Sequence, residues 1–360
     1  MNDLAAVATH PAQPSEVSSF EFWPDWLFYA PVVAYWIALG LRYRDFSLPS
    51  AANPRITTGG LCGESKSSIL DQAGSVAAGW IAPYSRFRTG QDDKTRALAL
   101  MQRDGHSLPI VVKPDIGCNG TGVRLAESED ALAAALASFP RNVDLLLQEL
   151  IPYEGEAGIF YIRHPGEPVG TITSLTHKRA PILFGDGRST ILDLIMADPR
   201  TRLVPHLYTP RLQSRLDEVP GLATPVRLVF AGNHCKGSIF ANGAADITPA
   251  LTATMHRIMS DIPDFHFGRV DVRYQDVASL RRGTGFRIIE INGVGSEATH
   301  IWDPSTRLRE AYRTQFDHYR QAFEIGAAQR SAGFKSSGLI RMFKDWRTQR
   351  RLMASYPLND

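Results

Sequence analysis

The sequence is poor in cysteine. Three cysteines, Cys62, Cys118 and Cys235, occur in 360 residues. They are odd in number, lie far apart and lack the spacing of a metal-binding motif, which excludes a disulfide framework and a cysteine-based zinc site. Such a chain is typical of a reducing compartment. The first 19 residues also lack the basic region and apolar run of a secretory signal. We therefore expect a cytoplasmic protein.

An excess of charge of one sign is also missing. Lysine and arginine total 39 while aspartate and glutamate total 37, so the formal net charge is +2. A protein that binds along nucleic acid needs a marked basic excess to neutralise phosphates, which excludes nucleic acid as the main partner. Apolar residues make up 44% of the chain, and this excludes a disordered or collagen-like protein. The length predicts two or three domains.

The longest uncharged run lies in segment 20–44, which is rich in apolar and aromatic residues. Its core from Trp26 to Leu41 covers 16 residues and contains Pro31, whereas a membrane-spanning helix needs about 20. Two interpretations stay open. The segment is a helix packed against the body of the protein or another subunit, which we favour, or a helix lying on a bilayer surface.

A second unusual segment, 335–353, lies near the C-terminus. It holds six basic residues against Asp345 alone, and its apolar side chains recur at helical spacing. This pattern predicts a basic amphipathic helix, for which a solvated face is the simpler interpretation. Together with segment 20–44 it keeps peripheral contact with the inner face of the membrane open.

Between these ends, short apolar strands are mixed with helices. Runs such as LPIVVKP, GIFYIRH, FGRVDVRY and FRIIEIN predict strands, and Thr248 followed by Pro249 predicts the start of a helix. Most strands are expected to have antiparallel neighbours, so the predicted fold class is α+β. We divide the chain into an N-terminal region 1–107, a central domain 108–328 with subdomains 108–170 and 171–328, and a basic C-terminal segment 329–360.

A glycine-rich loop follows one of the predicted strands. In VVKPDIGCNGTGV, a buried strand delivers Lys113, and the next loop contains Gly117, Gly120 and Gly122. Glycines let backbone N–H groups approach phosphate oxygens closely, and the lysine adds a positive charge. The segment therefore suits a polyphosphate, although an ordinary turn after a strand has the same composition.

Carboxylates occur in two later apolar strands. Asp271 lies in FGRVDVR, while Glu290 and Asn292 alternate with isoleucines in RIIEIN, which places both on one face of a strand. Together they offer the oxygen ligands that Mg²⁺ prefers beside substrate phosphates. A purely structural interpretation stays open, in which Asp271 pairs with Arg269 or Arg273 and the other two face water.

These segments resemble the nucleotide-binding core of the ATP-grasp carboxylate–amine ligases. The resemblance rests on VVKPDIGCNGTGV, LLQELIPYEGE, FGRVDVR and EINGVGSEATHIWDP, from about residue 108 to 304. The last segment is similar to the tail motif of D-alanine–D-alanine ligases, because Glu290, Asn292, His300 and Pro304 have that family's spacing. RAPILFGDGRSTILDLI is similar to a segment of cyanophycin synthetase. The resemblance implies an ATP-grasp fold, in which two α+β subdomains clamp the nucleotide.

The resemblance also implies roles for individual residues. Lys178 and Arg269 would neutralise charge on the transferring oxygens. The implied ligands for Mg²⁺, or for Mn²⁺ in its place, are Asp271, Glu290 and Asn292. The residues implied for ATP are Lys113, Gly117, Gly120, Gly122, Gln148, Glu149, Ile151 and Glu156, with Glu154 as the alternative to Glu156 at the ribose. By the resemblance His300 would line the pocket of the acceptor substrate. Apart from the resemblance, Arg179 and Arg188 flank the GDG turn and are candidates for contact with the substrate, with a structural turn held by an ion pair as the open alternative.

The implied activity is a two-step ligation. ATP would phosphorylate a small carboxylate, and an amine, amino-acid or peptide-like, would attack the acyl phosphate. The alternatives are an ATP-grasp phosphotransferase that stops at phosphorylation and a non-catalytic nucleotide-binding scaffold protein. The sequence departs from D-alanine–D-alanine ligases in having Gly295-Ser296-Glu297 in place of a Pro-Gly-Met run. We therefore do not expect D-alanine as substrate, and we treat the similarity of GGLCGES, with Glu64, to that family's N-terminal substrate motif as coincidence.

Overall fold

The computed structural model of the chain describes residues 17–18, 20–230 and 232–359. Its strands are β1 (Tyr84–Arg88), β2 (Ile110–Pro114), β3 (Arg124–Ala126), β4 (Asp144–Glu149), β5 (Gly155–Ile162), β6 (Thr171–Arg179), β7 (Ile182–Phe184), β8 (Pro225–Arg227), β9 (Ile239–Asn242), β10 (Phe267–Tyr274) and β11 (Phe286–Asn292). Its helices are α1 (Asp25–Tyr43), α2 (Lys66–Leu70), α3 (Ser75–Ala78), α4 (Asp93–Asp104), α5 (Glu129–Ala137), α6 (Ile191–Ala197), α7 (Pro249–Ser260), α8 (Val277–Arg281), α9 (Leu308–Ser331) and α10 (Leu339–Met353). Because helices pack on sheets whose strands pair in antiparallel fashion, the predicted α+β class is confirmed.

The smaller of the two main sheets has four strands in the order β1-β4-β2-β3. One face packs against α4 and α5 through a core that includes Phe87, Met101, Val112, Leu132 and Leu145. Side chains alternate between the two faces of a strand, so Lys113 and Gln148 project from the other face. That face carries the first part of the candidate site.

The larger sheet has five strands in the order β11-β10-β5-β6-β9. One face packs against α7 through a core that includes Ile159, Val270, Ile288, Leu251 and Met255. A β-bulge interrupts the pairing of β10 with β11, because Asp271 pairs with Glu290 while Val272 pairs with Ile288. The polar side chains of both strands therefore lie on the face away from this core.

The N-terminal apolar segment forms α1, which packs on α9. Phe28 stacks on Tyr312 with 5.4 Å between ring centroids, and Trp36 meets Phe323 edge to face at 5.1 Å. The interpretation that segment 20–44 packs against the body of the protein is thus confirmed for this inner side of α1. None of the helices within the described residues has the length and apolarity needed to cross a bilayer.

The boundary between the two main sheets differs from the expected subdomain boundary at 170. β5 pairs with β10 and β6, so the chain passes from the smaller to the larger sheet between Glu149 and Gly155. β1 comes from the N-terminal region 1–107 yet pairs with β4 in the smaller sheet. Long-range pairing, which the local pattern does not show, causes both differences. The predicted helix start at Thr248 is confirmed, since its hydroxyl accepts a hydrogen bond from the Leu251 N–H at 3.1 Å.

Candidate functional site

A cavity of about 590 Å³ lies between the two main sheets. Both sheets, the loop after β2, α1 and α10 contribute to its wall. Of the residues implied by the resemblance, those that line the cavity are Lys113, Gly120, Gln148, Glu149, Ile151, Glu156, Lys178, Arg269, Asp271, Glu290 and Asn292. The fold thus brings together residues that are far apart along the chain.

Asp271 is the centre of a buried charge cluster. Lys178 Nζ lies 2.8 Å from its Oδ1, while Arg269 donates from Nε to Oδ1 at 3.0 Å and from Nη2 to Oδ2 at 3.2 Å. Burial opposes ionisation, but the charges of Arg269 and Lys178 outweigh it and hold the pKa of the Asp271 carboxyl below its usual range. For Lys178, burial likewise opposes the charge, and Asp271 with Glu156 raises its pKa. The cluster is therefore ionised at neutral pH.

A glycine on the central strand leaves the space that this cluster occupies. Gly158 pairs with Asp271 across β5 and β10. A Cβ atom at this position would lie 3.0 Å from Arg269 Cδ, 3.1 Å from Asp271 Oδ1 and 3.5 Å from Lys178 Cε. A side chain here would crowd Arg269 and Asp271 and would be in contact with Lys178.

Lys113 reaches from the smaller sheet to the larger one. Its Nζ donates to Gln148 Oε1 and to the Ile289 carbonyl oxygen, both at 2.8 Å. Burial lowers the pKa of Lys113 to about 8, although Glu290 acts in the opposite direction. Both hydrogen-bond acceptors are neutral. An anion bound beside this lysine would therefore stabilise its charged form.

Glu290 and Asn292 lie on β11 beside the Asp271 cluster. Glu290 pairs with Asp271 in the strand register, and Asn292 Nδ2 donates to Asp271 Oδ2 at 3.2 Å. Lys66 Nζ lies 3.3 Å from Glu290 Oε1. Two carboxylates and an amide on one cavity wall are donors of the kind that Mg²⁺ takes, so the residues fit this ion chemically. Within the described ranges, no three His, Cys, Asp or Glu side chains lie close enough together to hold a metal ion.

The glycine-rich loop after β2 contributes unequally to the cavity. Gly120, with a φ of 66°, lines it. Gly117 and Gly122 are not among the described residues of its wall. The Gly117 carbonyl accepts a hydrogen bond from Lys66, and a Cβ on Gly122 would lie 2.9 Å from Pro114 Cγ. These two glycines therefore shape the loop from behind.

The end of β4 and the start of β5 form another part of the wall. Leu150 and Ile151 add apolar surface beyond the buried Gln148. Glu156 also lines the cavity, and its Oε1 lies 3.3 Å from Lys178 Nζ. Glu154 is exposed and is not among the described lining residues. Of the two acids implied for the ribose, the cavity therefore contains Glu156.

Three side chains of β10 show how the parts of the cavity wall follow one another along this strand. Near one end of the strand, Arg273 donates to the Ile151 carbonyl at 2.9 Å. Asp271 lies in the middle, and Arg269, two residues before it, donates from Nη1 to the Glu297 carbonyl at 3.4 Å. The segment that contains Ile151 and the segment that contains Glu297 thus flank Asp271 from opposite directions.

Two further carboxylates line the cavity. Glu297 accepts hydrogen bonds from Tyr29 Oη on α1 and from Gln315 Nε2 on α9, both at 2.6 Å. Burial, then the neighbouring Glu297, raises the pKa of Tyr29. Glu64 Oε2 is buried with no hydrogen-bond partner in the described structure, and burial raises the pKa of Glu64. A buried oxygen without a hydrogen-bond partner costs free energy of folding, unless a bound ligand donates a hydrogen bond to it.

The three substrate candidates lie elsewhere. Arg179, Arg188 and His300 are not among the described residues of the cavity wall. Arg188 lies in an exposed turn, where its N–H donates to Asp186 Oδ1 at 2.8 Å. His300 Nδ1 lies 2.7 Å from Ser174 Oγ. A substrate that occupied only this cavity would not reach them.

The sequence interpretation missed Lys66 and set Glu64 aside. Both enter the site because the GGLCGES segment meets the end of β11, where the Gly295 N–H donates to the Gly60 carbonyl at 2.7 Å. A Cβ on Gly60 would lie 2.5 Å from Gly293 Cα, so only glycine allows this approach. The available signal was an acid and a lysine two residues apart after a glycine-rich stretch. Tyr29 gave no comparable signal, since it lies among many aromatic residues.

No model of a protein family matches the chain, and no curated protein matches it. Solved structures do match parts of it at low identity. A D-alanine–D-alanine ligase from Bacillus anthracis gives a TM-score of 0.42 at 13% identity, with 77% of this chain and 71% of that chain covered. A D-Ala:D-Ser ligase from Enterococcus faecalis gives 0.41 at 12% identity, with 73% and 63% covered. A bifunctional glutathione synthetase from Pasteurella multocida gives 0.36 at 14% identity, with 70% of this chain but 36% of that chain covered. The chain thus spans about a third of that synthetase and less than two thirds of the D-Ala:D-Ser ligase.

Proposed function

We propose that the chain is an ATP- and Mg²⁺-dependent ligase that joins a carboxylate to an amine. The observation that carries this proposal is the cavity between the sheets, where Lys113, Lys178 and Arg269 stand beside the carboxylates of Asp271 and Glu290. Fixed cations suit the phosphates of a nucleotide, and the carboxylates suit a metal that accompanies them.

The nucleotide would lie along the wall formed by Gln148–Ile151. Leu150 and Ile151 offer apolar surface to a base, and Glu156 offers a carboxylate to ribose hydroxyls. Lys113 would exchange its neutral acceptors for phosphate oxygens. Gly120 lets the loop after β2 close over the phosphates, because it has no side chain to obstruct them.

Asp271, Glu290 and Asn292 would hold Mg²⁺, which when bound neutralises phosphate charge and orients the transferred group. The chain prepares these ligands itself. Lys178 and Arg269 keep Asp271 ionised, and Lys66 lies beside Glu290. Asp271 and Glu290 therefore have cations beside them, and Asn292 bonds to Asp271, before the metal and nucleotide arrive.

In the proposed reaction a substrate carboxylate takes the γ-phosphoryl group of ATP, which yields ADP and an acyl phosphate. An amine then attacks the acyl carbon, phosphate leaves, and the nitrogen loses a proton. Arg269 and Lys178 would stabilise negative charge on the transferring oxygens, since both are buried and need little reorganisation. The substrates would be a small carboxylate and an amine of amino-acid or peptide-like character.

Glu64 is the residue we assign to the ammonium form of the amine substrate. Its Oε2 is buried and unpartnered among the described residues, and it lies in the wall of the cavity. A cationic amine would satisfy that oxygen. The raised pKa of Glu64 also suits a group that accepts a proton as the amine becomes nucleophilic.

Water must be kept from an acyl phosphate. The loop after β2 is backed by the C-terminal segment, since Tyr356 Oη donates to the Ile116 carbonyl at 3.0 Å. Cys118 Sγ and Met353 Sδ approach to 3.5 Å. These contacts place α10 and the residues after it over the loop, where they would restrict access of water.

The test is phosphate release from ATP across panels of amino acids, peptides and sugar acids offered in pairs, with analysis of the products. We expect ADP, phosphate and an amide when carboxylate and amine are both present. Asp271→Asn and Glu290→Gln should abolish release, while Asp217→Asn, at an exposed carboxylate outside the cavity, should not.

Two outcomes would contradict the proposal. Formation of a stable phosphorylated product without an amide would show a phosphotransferase. Nucleotide binding without turnover in any pair, unchanged in the double variant of Asp271 and Glu290, would show a scaffold protein and would remove the metal assignment.

A further inference from the structure

The outward side of α1 is apolar along its length. Trp26 is 73% exposed, Val33 54% and Leu41 64%, with Leu27 and Ile37 exposed between them. No charged residue occurs between Asp25 and Arg42. An exposed apolar face of this extent is typical of a surface that binds another protein or a membrane.

The outward side of α10 combines apolar and basic side chains. Ile340 is 77% exposed and Phe343 59%. Beside them, at helical spacing, lie the exposed basic residues Lys344, Arg347 and Arg351. Asp345 is the single acid of segment 335–353, and it pairs with Arg341 at 3.5 Å. The face is therefore both apolar and strongly positive.

The residues that follow α1 are hydrogen-bonded to the residues that precede α10. Ser336 Oγ donates to Asp45 Oδ2 at 2.7 Å, and the Ser337 N–H donates to Ser50 Oγ at 2.8 Å. A groove at this junction is lined by residues that follow α1, including Phe46, and by residues of α10, including Ile340. We call the exposed side chains of α1 and α10, with this groove, the α1/α10 surface.

We propose that the α1/α10 surface docks on an anionic lipid bilayer, with both helices lying along the membrane plane. Apolar side chains flanked by lysine and arginine are the chemistry of an interfacial helix. The described helices are too short or too polar to span a bilayer, which leaves this in-plane mode. A second copy of the chain fits less well, because a two-fold contact would bring the basic face of one copy against that of the other.

This position has a consequence for the cavity. Asp25 and Tyr29 of α1 and Trp346, Gln349 and Arg350 of α10 line it from the inner sides of the same helices. Docking would hold the cavity within about one helix diameter, roughly 10–12 Å, of the lipid headgroups. Membrane binding and nucleotide binding use different sides of α1 and α10.

The experiment is sedimentation of the full chain with vesicles of phosphatidylglycerol and phosphatidylcholine, and with vesicles of phosphatidylcholine alone. We expect binding to the mixed vesicles and not to the neutral ones. Binding should weaken as salt rises from about 0.1 M to about 1 M, since the Debye length falls from about 10 Å to about 3 Å.

Two multiple variants distinguish the basic part of the surface from its apolar part. None of the substituted residues lines the cavity. Lys344→Ala with Arg347→Ala and Arg351→Ala should weaken binding about fivefold per residue, which corresponds to about 1 kcal/mol each. Val33→Glu with Ile37→Glu should abolish binding. Leu222→Glu is the matched control, because Leu222 is exposed to 81% on a loop outside the α1/α10 surface. Circular dichroism and ATP binding should be unchanged in all of them.

Equal binding to neutral and anionic vesicles, or unchanged binding by both variants, would overturn the proposal. A third result would also overturn it: the chain does not bind vesicles and forms a dimer in sedimentation velocity, and the double variant Val33→Glu with Ile37→Glu dissociates that dimer. The partner of the α1/α10 surface would then be a second copy of the chain. None of these outcomes depends on ligase activity, so the proposal can fail while the proposed function stands.

Discussion

Lys66 Nζ lies 3.3 Å from Glu290 Oε1 and also donates a hydrogen bond to the carbonyl oxygen of Gly117. One side chain thus joins a proposed metal ligand on β11 to the glycine-rich loop after β2. Burial raises the pKa of Glu64; of its two charged neighbours, Lys66 acts to lower that pKa and Glu290 to raise it. Lys66 therefore pairs with one of two neighbouring carboxylates of the cavity wall, Glu290, and is a cation near the other, Glu64.

Replacement of Lys66 should lower the stability of the folded chain, and added Mg²⁺ should restore part of that stability. In Lys66→Met, Glu64 and Glu290 lose the cation near both, and we expect the free energy of unfolding to fall by about 1–3 kcal/mol. Mg²⁺ added without ATP should recover part of that loss, and should shift the melting temperature of the variant more than that of the wild type. Differential scanning fluorimetry with and without Mg²⁺ measures both effects.

The matched control is Lys94→Met. Lys94 pairs with Asp130 at 2.9 Å on the exposed surface, where an ion pair contributes little to stability. If the two variants melt together, or if Mg²⁺ shifts neither, then Lys66 does not hold a metal site in place.

Lys113 should take up a proton when ATP binds. Burial lowers its pKa to about 8, below the usual 10.5, so at a pH just above 8 much of it is neutral. Phosphate oxygens beside the amine would raise that pKa and draw a proton from the buffer. Isothermal titration calorimetry in buffers of different ionisation enthalpy reports this uptake.

The control for this prediction is Lys113→Arg, because a guanidinium stays charged and has no proton to gain. The variant should bind ATP with little or no proton uptake. Equal uptake by both proteins would assign the proton to another group. Linkage gives a second check without ligand: the folded wild type holds fewer protons on Lys113 than the unfolded chain between pH 8 and 10.5, so its stability should rise with pH there relative to the arginine variant.

The strands that carry the carboxylates could be predicted from the sequence, but the residues that surround these carboxylates in the site could not. The alternation in FRIIEIN places Glu290 and Asn292 on one side of a strand, and the structure pairs that strand with the one carrying Asp271. This information is local, because side-chain direction along a strand has a period of two. The structural alternative for Asp271 is also real, since the residue pairs with Arg269. The assignment of Asp271 to a metal site stays a prediction.

The contributions of Lys66 and Tyr29 depend on contacts between distant parts of the chain. Lys66 reaches β11 through the approach of Gly60 to Gly293, and Tyr29 reaches Glu297 through the packing of α1 on α9. Neither contact leaves a periodic pattern. The same reasoning explains why β1 was not expected in the smaller sheet, since its partner β4 lies more than fifty residues later.

Gly158 should tolerate no side chain if the charge cluster is functional. A methyl group there would lie 3.0 Å from Arg269 Cδ and 3.1 Å from Asp271 Oδ1, so the side chains must shift. For Gly158→Ala we expect a loss of about 1–3 kcal/mol in the free energy of unfolding, as for other overpacked sites. We also expect at least about a tenfold loss in phosphate release, because Arg269 and Asp271 would shift relative to each other and to Lys178.

Gly79→Ala is the control for this substitution. The nearest atom to a Cβ on Gly79 is the Val76 carbonyl oxygen at 3.5 Å, which is ordinary contact, and the residue lies outside the cavity. Both variants are compared well below their melting temperatures. Full activity in Gly158→Ala would show that the arrangement of the cluster does not matter for turnover.

Glu64 should determine how tightly the amine substrate binds. Its Oε2 is buried without a partner in the described structure, and a charged amine would give it a charge-assisted hydrogen bond. Loss of such a bond costs about 1.5–3 kcal/mol, so Glu64→Gln should raise the KM for the amine about ten- to a hundredfold. The KM for ATP should change little, since Lys113 and the Gln148–Ile151 wall remain intact. Glu154→Gln, at an exposed acid, should behave as the wild type. A rise in the KM for ATP instead would move Glu64 to the nucleotide side of the cavity, and no change in either constant would remove it from the site.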